Sequence, residues 1–222
     1  MKAILISVHA KWCALMMNGD KKVEVRKENV GKAVQRLIDE YGYADIYVYC
    51  TKEETLEYFY DCNDNFGEYI THEGKCWGDE QLNGKVLFKF RCYKVEDIYY
   101  ECGNNGVSID GYKWFYTEEM DLVQNFEKAS CLNENELFNY LQPKEAGGSP
   151  CGYALHISQL EIFDEPKELS EFKVKGFERI KVMGNPYGDL LGSVAYHYEK
   201  KPILTPLTKA PQSWQFIEVD DE

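Results

Sequence analysis

The sequence predicts an α+β fold, a mixed β-barrel with short flanking helices and insertions. Short segments alternate apolar and polar residues as strands do, and segments of helical periodicity lie between them. The order of these segments differs from the regular strand and helix succession of a doubly wound parallel sheet. The 222 residues, 44% of them hydrophobic and 28% charged, suffice for one domain with a sizeable core. We expect this domain to span residues 1–219, followed by an acidic tail at 220–222.

The first 27 residues predict a strand, a short helix and a second strand. Residues 2–8 form a compact apolar run with β-branched members, which is typical of a buried strand. Apolar residues recur at helical spacing in 11–18, and Gly19 stands where a left-handed residue ends a helix. Residues 22–27 then alternate, so their charged side chains share one face of a strand and their valines the other.

The same two periodicities predict the remaining elements. Helical spacing predicts helices at 31–41 and after Asn133, where Glu136 completes a capping box and Pro143 ends the helix. Alternation predicts strands at 45–50, 84–99 (one bent strand or two), 152–163 and 214–219. We expect insertions near 51–80 and 173–205, and we interpret residues 164–211, which contain five prolines, as less regular.

Charge is distributed unevenly along the chain. The net charge of −13 argues against indiscriminate binding to a nucleic-acid backbone, because such binding requires a basic surface. Residues 1–36 nevertheless contain eight basic and three acidic groups, a balance of +5, so the remainder carries −18. One basic segment in an otherwise acidic chain predicts a localised anion site rather than a long basic groove.

The composition gives no indication of a metal, a cofactor or a membrane segment. The apolar start at 3–8 is shorter than a transmembrane helix or an ordinary signal segment, so we expect a cytoplasmic protein. The eight cysteines are scattered without a CxxC pair, which favours free thiols over a disulfide framework or a zinc site. The four histidines lie far apart, and His72 with Cys76 makes only two ligands at helical spacing.

Gly19, Lys21 and Arg26 form a GxKxxxxR pattern that follows a strand and a short helix. In this order the segment resembles the ASCH domains, a PUA-like β-barrel family of nucleic-acid-associated modules. Residues 157–172 are similar to the later strand of that family and its exit. The ending Ala210-Pro-Gln-Ser-Trp214 resembles members carried by bacteriophages and prophages. The resemblance implies a PUA-like barrel with a site at the GxKxxxxR pattern.

The charged side chains of this segment form a set that is suited to reading a nucleotide. Lys21 and Arg26 are donors for a phosphate or a carbonyl oxygen, and Glu24 is an acceptor for an exocyclic amine such as that of cytosine. Aromatic residues nearby supply stacking surfaces. We predict a module that binds RNA or a modified nucleotide through Lys11, Trp12, Gly19, Lys21, Glu24, Arg26 and Trp214, with Tyr153 and Tyr196 as further stacking candidates.

Two alternatives stay open. The ASCH family includes amidohydrolases that remove acetyl from acetylcytidine, in which the signature Lys works with a Thr three residues later and a distant Glu. Here Glu24 stands in place of that Thr, so the candidate catalytic residues of an amidase or ribonuclease are Lys21 and Glu24, the latter as a general base on water. Glu134 or Glu136 could be the distant Glu, although acids at a helix start also stabilise the helix dipole. The other alternative is a phage-encoded protein whose acidic surface binds a basic host protein.

Overall fold

The protein is α+β and strand-rich, with few short helices, as the sequence predicts. The computed structural model describes residues 1–27, 29–52, 69–72, 75–78, 82–101, 106–109, 112–113, 126–142, 151–183 and 196–219. Much of the predicted insertion at 51–80, the centre of the one at 173–205 and the acidic tail at 220–222 lie outside these residues.

The predicted elements occur in the predicted order, with boundaries that move by one or two residues in the N-terminal part of the chain, and further elements lie between them. The helices are α1 (Ala10–Met17), α2 (Val30–Tyr41) and α3 (Glu134–Leu141), and residues 126–130 are also helical. The strands are β1 (Lys2–Val8), β2 (Val23–Arg26), β3 (Ala44–Cys50), β4 (Tyr69–His72), β5 (Lys75–Gly78), β6 (Val86–Cys92), β7 (Val95–Glu101), β8 (Gly106–Ile109), β9 (Tyr112–Lys113), β10 (Cys151–His156), β11 (Ser158–Lys167), β12 (Lys173–Met183), β13 (Tyr196–Pro206) and β14 (Trp214–Glu218).

The strands form two principal sheets. The larger sheet has seven strands in the order β11-β6-β3-β1-β14-β12-β13, and the smaller has five in the order β2-β10-β7-β8-β9. Strands β4 and β5 pair separately. Strands β1 and β3 are parallel, whereas the other described pairs are antiparallel. Neither order closes on itself within the described residues, so the barrel stays a prediction.

The chain passes from one sheet to the other where the sequence shows uninterrupted alternation. The predicted segment 84–99 is two strands, β6 in the larger sheet and β7 in the smaller. The single strand predicted at 152–163 is wrong, because the chain divides there into β10 and β11, which also belong to different sheets. At the division, the Ile157 N–H donates to the Lys22 carbonyl oxygen at 2.9 Å, a bond outside either ladder.

Strand β1 is apolar on both faces because both faces of the larger sheet are covered. Ile4 and Ile6 belong to the main core cluster, which includes residues of α1 and α2. Ala3 and Leu5 point the other way, into a second cluster that contains Phe172. A strand that is buried on both sides gives a continuous apolar run instead of alternation.

The prediction that residues 164–211 are less regular is wrong for the described residues, 164–183 and 196–211. Strands β12 and β13 are eleven residues each and pair in continuous register from Lys173↔Pro206 to Met183↔Tyr196. Pro202 also lies on β13, and β13 is the last strand of its sheet. Proline lacks an N–H donor and is accepted at an edge, where one side of the strand has no ladder to complete.

The described residues contain free cysteines, and they lack a metal-binding group and a membrane-spanning helix. The cysteines there, at positions 13, 50, 92, 131 and 151, are free. No group of three or more metal-ligating His, Cys, Asp or Glu side chains occurs in that part of the chain. None of its helices is both long enough and apolar enough to cross a membrane.

Helix α2 approaches β10 so closely that only glycine fits at the contact. A Cβ atom at Gly31 would lie 2.0 Å from Cγ of Tyr153. Replacing glycine by alanine inside a helix ordinarily stabilises a protein by about 0.5–1 kcal/mol. We expect Gly31→Ala instead to lower stability by about 1–3 kcal/mol, because the added methyl overpacks this contact. Urea unfolding measures the change.

A second variant locates the cause of this loss. In a Tyr153→Gly background both the ring and Cβ of Tyr153, which would lie 2.5 Å from the added methyl, are absent, so Gly31→Ala should cost much less than it does in the wild-type protein. A Gly31→Ala protein as stable as the wild type would contradict the packing of α2 on β10.

Glu96 on β7 provides a pH-dependent contribution to stability. Its carboxylate lies 2.5 Å from Nε2 of His156 on β10 and 2.5 Å from Nζ of Lys94. Partial burial alone would raise the pKa of Glu96, but the hydrogen bonds from Lys94 and His156 outweigh it, and the pKa is lowered from its ordinary value of 4.5. A lowered carboxyl pKa stabilises the fold above the unfolded value, and this stabilisation is lost as the pH falls through the folded value.

We therefore expect the stability difference between the wild type and Glu96→Gln to be full above about pH 4.5 and to shrink as the pH falls below it. Urea unfolding of both proteins between neutral pH and about pH 3 measures this difference, because that interval extends below the ordinary value from which the pKa of Glu96 is lowered. A difference that is independent of pH would contradict the ion pairing of Glu96.

Candidate functional site

A cavity of about 560 Å³ lies where β1, β2 and α3 meet. Its volume is within the range of roughly 300–1,000 Å³ that is typical of small-molecule sites. The residues that line it come from five separate stretches of chain: Ser7, Val8, His9, Trp12, Lys21, Glu24, Val25, Arg26, Thr51, Leu132, Glu136, Asn139, Tyr140, Gln212 and Ser213.

The parallel pairing of β1 and β3 brings two chain segments to one wall of the cavity. Parallel strands end at the same edge of a sheet, and ligands of open sheets bind outside the carboxyl ends of their strands. His9 follows β1 and Thr51 follows β3. Thr51 Oγ1 lies 3.4 Å from Nδ1 of His9. This wall therefore carries a hydroxyl beside an imidazole, a pair that sequence reasoning missed because β1 and β3 are 35 residues apart in the chain.

The turn after α1 determines where Lys21 lies. Gly19 has a φ of +76°, in the left-handed region that glycine adopts without strain. The backbone N–H of Lys21 donates to the Leu15 carbonyl oxygen at 2.9 Å, so the turn folds back on the helix. The side chain of Lys21 is 2% exposed, and its Nζ donates to the Ser130 carbonyl oxygen at 2.5 Å. Ser130 ends the helical residues 126–130, where carbonyl groups lack a partner within the helix and favour a cation.

Strand β2 supplies the other two charges of the cavity. Val23 and Val25 belong to a buried apolar cluster, while Glu24 and Arg26 lie in the other direction, as the alternation predicts. Val25 also contributes to the lining of the cavity. Strand β2 is the edge of the smaller sheet and pairs only with β10 among the described strands.

Lys21, Glu24 and Arg26 form one buried ionic cluster, called the charged cluster below. Glu24 is 6% exposed and Arg26 8%. One oxygen of Glu24 lies 3.5 Å from Lys21 Nζ, and the other lies 3.1 Å from Arg26 Nε. Arg26 Nη2 donates to the Ser7 carbonyl oxygen at 2.6 Å, which joins the two sheets across the cavity.

The charged cluster holds two cations and one carboxylate, so its formal charge is positive. Buried charges are costly unless they are paired and hydrogen-bonded. Arg26 Nε is buried and has no hydrogen-bond partner among the described residues, because its contact with Glu24 does not have hydrogen-bond geometry. The Nε pairing of Arg26 is therefore electrostatic, and a ligand in the cavity would add an acceptor for the guanidinium as a whole.

Two aromatic side chains line the cavity. Trp12 has two ammonium groups near its ring, with Lys11 Nζ at 4.7 Å and Lys21 Nζ at 4.9 Å from the ring centroid. The indole therefore helps to hold Lys21 in place in addition to lining the cavity. Partial burial raises the pKa of the Tyr140 hydroxyl against the opposing charge of Arg26, so this group stays a neutral phenol that can donate or accept a hydrogen bond.

Helix α3 contributes a polar face to the cavity, of which sequence reasoning named only Glu136, as a candidate for the distant Glu. Glu136, Asn139 and Tyr140 lie at i, i+3 and i+4, opposite the buried Leu137 and Leu141. The sequence contained a signal for this face. Tyr140 is an aromatic residue on the polar side of an amphipathic helix, a position that indicates a contact beyond the core.

The capping box predicted at the start of α3 is confirmed. Glu136 Oε2 accepts from the Asn133 N–H at 2.9 Å, and Asn133 Oδ1 accepts from the Glu136 N–H at 2.9 Å. Glu136 lines the cavity, but its carboxylate already accepts a hydrogen bond from the backbone at the start of α3. The side chain of Glu134 lies outside the described part of the chain.

The segment before β14 closes one side of the cavity with Gln212 and Ser213. Ser7 holds this segment through two bonds, since its N–H donates to the Ser213 carbonyl at 2.9 Å and its Oγ donates to the Pro211 carbonyl at 2.6 Å. Trp214 itself does not line the cavity. Its ring packs against the main core cluster and meets the ring of Phe216 edge-on at 5.5 Å.

The structure thus brings four of the predicted binding residues, Trp12, Lys21, Glu24 and Arg26, to one cavity. Lys11 contacts this group through the Trp12 ring, and Gly19 shapes the turn without lining the cavity. Tyr153 packs on α2 instead. The side chain of Tyr196, at the first position of β13, lies outside the described residues.

Cys13, on α1, is not a nucleophile for this site. It is fully buried, and its thiol donates to the Val8 carbonyl oxygen at 3.7 Å. Burial, followed by the neighbouring Cys50, raises the pKa of the Cys13 thiol well above its ordinary value. The thiolate that attacks electrophiles is therefore disfavoured, and Cys13 serves as an apolar core residue.

Comparison with known proteins gives no family for the chain: no protein-family model matches it, and neither does any curated protein.

Proposed function

We propose that the chain is a nucleic-acid-associated binding protein of the ASCH type, with a PUA-like barrel, that recognises RNA or a modified nucleotide in the cavity at the charged cluster. The observation that carries the proposal is the positive formal charge of a buried cluster, in which Arg26 Nε has an ion pair but no hydrogen bond, at the wall of a cavity. We further propose that it acts in the cytoplasm, where free cysteines persist.

Each member of the charged cluster has a distinct part in this proposal. A carboxylate has about four lone-pair positions, so Glu24 can accept from a base amine while both of its oxygens face cations. Lys21 and Arg26 bind a phosphate or a base carbonyl as charged donors. Trp12 and Tyr140 border the same space and provide aromatic surface for a base.

The acidic character of the chain supports localised binding at the cavity over a broad basic groove. With a net charge of −13, most of the protein surface repels a nucleic-acid backbone. A ligand that enters the cavity meets two cations and the carboxylates of Glu24 and Glu136, and the attraction to the buried cations is less screened there than at the surface.

A second candidate function is hydrolysis of a modified nucleoside, and one contact favours it. The Thr51 hydroxyl lies 3.4 Å from His9 Nδ1 at the cavity wall, and hydroxyl–imidazole pairs at hydrogen-bond reach, often longer without substrate, are typical of activated nucleophiles. Such an enzyme would cleave the amide bond of acetylcytidine with water and release cytidine and acetate. Glu24 is a poor candidate base in this reading, since each of its oxygens already faces a cation.

We expect Lys21→Ala or Arg26→Ala to weaken binding of a cytidine-containing RNA by roughly 10–100-fold, because each removes a charge-assisted hydrogen bond. The matched control is Arg36→Ala, which removes a cation from the exposed side of α2 in the same basic segment. Fluorescence anisotropy measures binding, and circular dichroism verifies folding. Unchanged affinity in both cavity variants would end the proposal.

Glu24→Gln tests the same site without removing volume. We expect it to reduce the preference for RNA that contains cytidine over RNA that lacks it, because a charged acceptor for the base amine is lost. Competition with unlabelled RNA of the two compositions measures the preference. A variant that retained the full preference would remove Glu24 from base reading.

Turnover distinguishes the second candidate from the first. If the protein is a hydrolase, acetylcytidine is converted to cytidine and acetate, and we expect Thr51→Val to abolish that conversion while it leaves RNA binding intact. Chromatography of the nucleosides detects the product. Absence of product from the wild-type protein, or undiminished product from Thr51→Val, would rule out this use of Thr51.

A further inference from the structure

Strands β12 and β13 form a two-stranded ribbon that continues past the sheet to which they belong. Strand β12 pairs with β13 along all eleven residues, but within the described strands it pairs with β14 only at Lys173↔Glu218. Strand β13 is the last in the order of its sheet. Beyond the first pair, the ribbon is therefore supported by its own ladder.

The two faces of this ribbon differ in charge. Side chains alternate between faces, and the register places those of directly paired residues together. One face, called the basic face below, carries five cations and no acid in the described ladder: Lys173, Lys175, Arg179 and Lys181 from β12 and Lys200 from β13. The two acids of the ribbon, Glu178 and Glu199, belong to the opposite face.

Two exposed aromatic rings belong to the basic face. Phe177 is 63% exposed and Tyr198 is 68% exposed, more than any other large apolar or aromatic side chain whose exposure the structure describes. Phe177 lies opposite Pro202, and Tyr198 lies opposite Lys181. The paired Arg179 and Lys200 stand between these two rows, so a ring flanks the cations on each side along the ribbon.

This arrangement does not serve the stability of the ribbon. Arg179 and Lys200 face each other directly, and like charges opposite one another on a sheet destabilise it. A phenylalanine ring that is 63% exposed contributes little burial to folding. An anionic ligand with flat apolar surfaces would relieve both features, since it neutralises the cations and covers the rings.

We propose that the basic face binds single-stranded nucleic acid, with phosphates at Arg179 and Lys200 and bases stacked on Phe177 and Tyr198. Charge complementarity decides the occupant: this face is cationic on a chain of net charge −13, and a polyanion matches it. The aromatic rings favour single strands over a duplex, because paired bases stack on each other and do not offer their faces to a protein. The surface is separate from the cavity and does not depend on what the cavity binds.

The test measures binding of a fluorescent single strand of about 12 nucleotides, within the site sizes known for such surfaces, as a function of salt. The slope of log K against log salt is negative. We expect the double variant Arg179→Gln/Lys200→Gln to make it less steep by about 1.4, or 0.7 for each lost phosphate contact. Phe177→Ser/Tyr198→Ser should weaken binding by roughly tenfold or more at constant slope, because stacking does not displace counterions.

The matched control is Lys201→Gln, which removes one cation from the neighbouring position of the same strand on the opposite face. It should leave affinity and slope nearly unchanged. All changed positions are exposed, so thermal unfolding of the variants should resemble that of the wild type. Lys200→Gln alone is its direct counterpart on the basic face. If Lys201→Gln weakened binding as much as this single variant, the attraction would be a general charge effect and the basic face would not be a site.

Further outcomes separate this inference from the proposed function of the cavity. Loss of binding in Arg26→Ala with full binding in the ribbon variants would overturn the ribbon site and leave the cavity intact. Loss in the ribbon variants with full binding in Arg26→Ala supports the ribbon alone. Tighter binding of a duplex, or binding of polyglutamate but not of the oligonucleotide, would assign the basic face to double-stranded DNA or to an acidic protein and overturn the proposal.

Discussion

The carboxylate of Glu24, placed between Lys21 and Arg26, is the interaction on which the architecture of the cavity depends. Through Arg26 it is connected to the Ser7 carbonyl on the larger sheet, and through Lys21 to the Ser130 carbonyl at the end of a helical segment. Removing one member of such a buried group commonly costs about 3–5 kcal/mol, because the partners stay buried without compensation. The charges that hold the sheets together here are also those that face the cavity, so structure and binding are constrained by the same side chains.

The sequence was sufficient to predict the half of the site that is encoded locally. Strand β1, helix α1 and strand β2 follow from apolar periodicity within 27 residues, and the left-handed Gly19 follows from its position after a helix. Alternation along β2 was enough to place Glu24 and Arg26 on one face. The α+β class followed from the mixture of periods, whereas closure of the sheets into a barrel depends on strand order, which periodicity does not encode.

The other half of the site depends on pairings that local patterns do not contain. Thr51 reaches the cavity because β3 runs parallel to β1, and Gln212 because the Ser7 backbone and hydroxyl bind the segment before β14. The basic face of the ribbon was hidden for a related reason: Glu178 and Glu199 interrupt the cations in sequence, and only the strand period separates the two signs. The prolines of β13 also masked its regularity, since their tolerance depends on the edge position of the strand.

The central claim, that a nucleotide binds at Arg26 in the cavity, can be tested at that single side chain. The chain has four arginines, so a proton–nitrogen correlation spectrum of their Nε–H groups contains four signals, and Arg26→Lys identifies the one from the cavity. On titration with cytidine monophosphate, the Arg26 signal should move in a saturable manner, because a nucleotide bound at the guanidinium would change the contact between its Nε and Glu24. The Arg36 and Arg91 signals should stay in place. A spectrum in which the Arg26 signal did not move, whatever happened to that of Arg179 on the ribbon, would contradict the account.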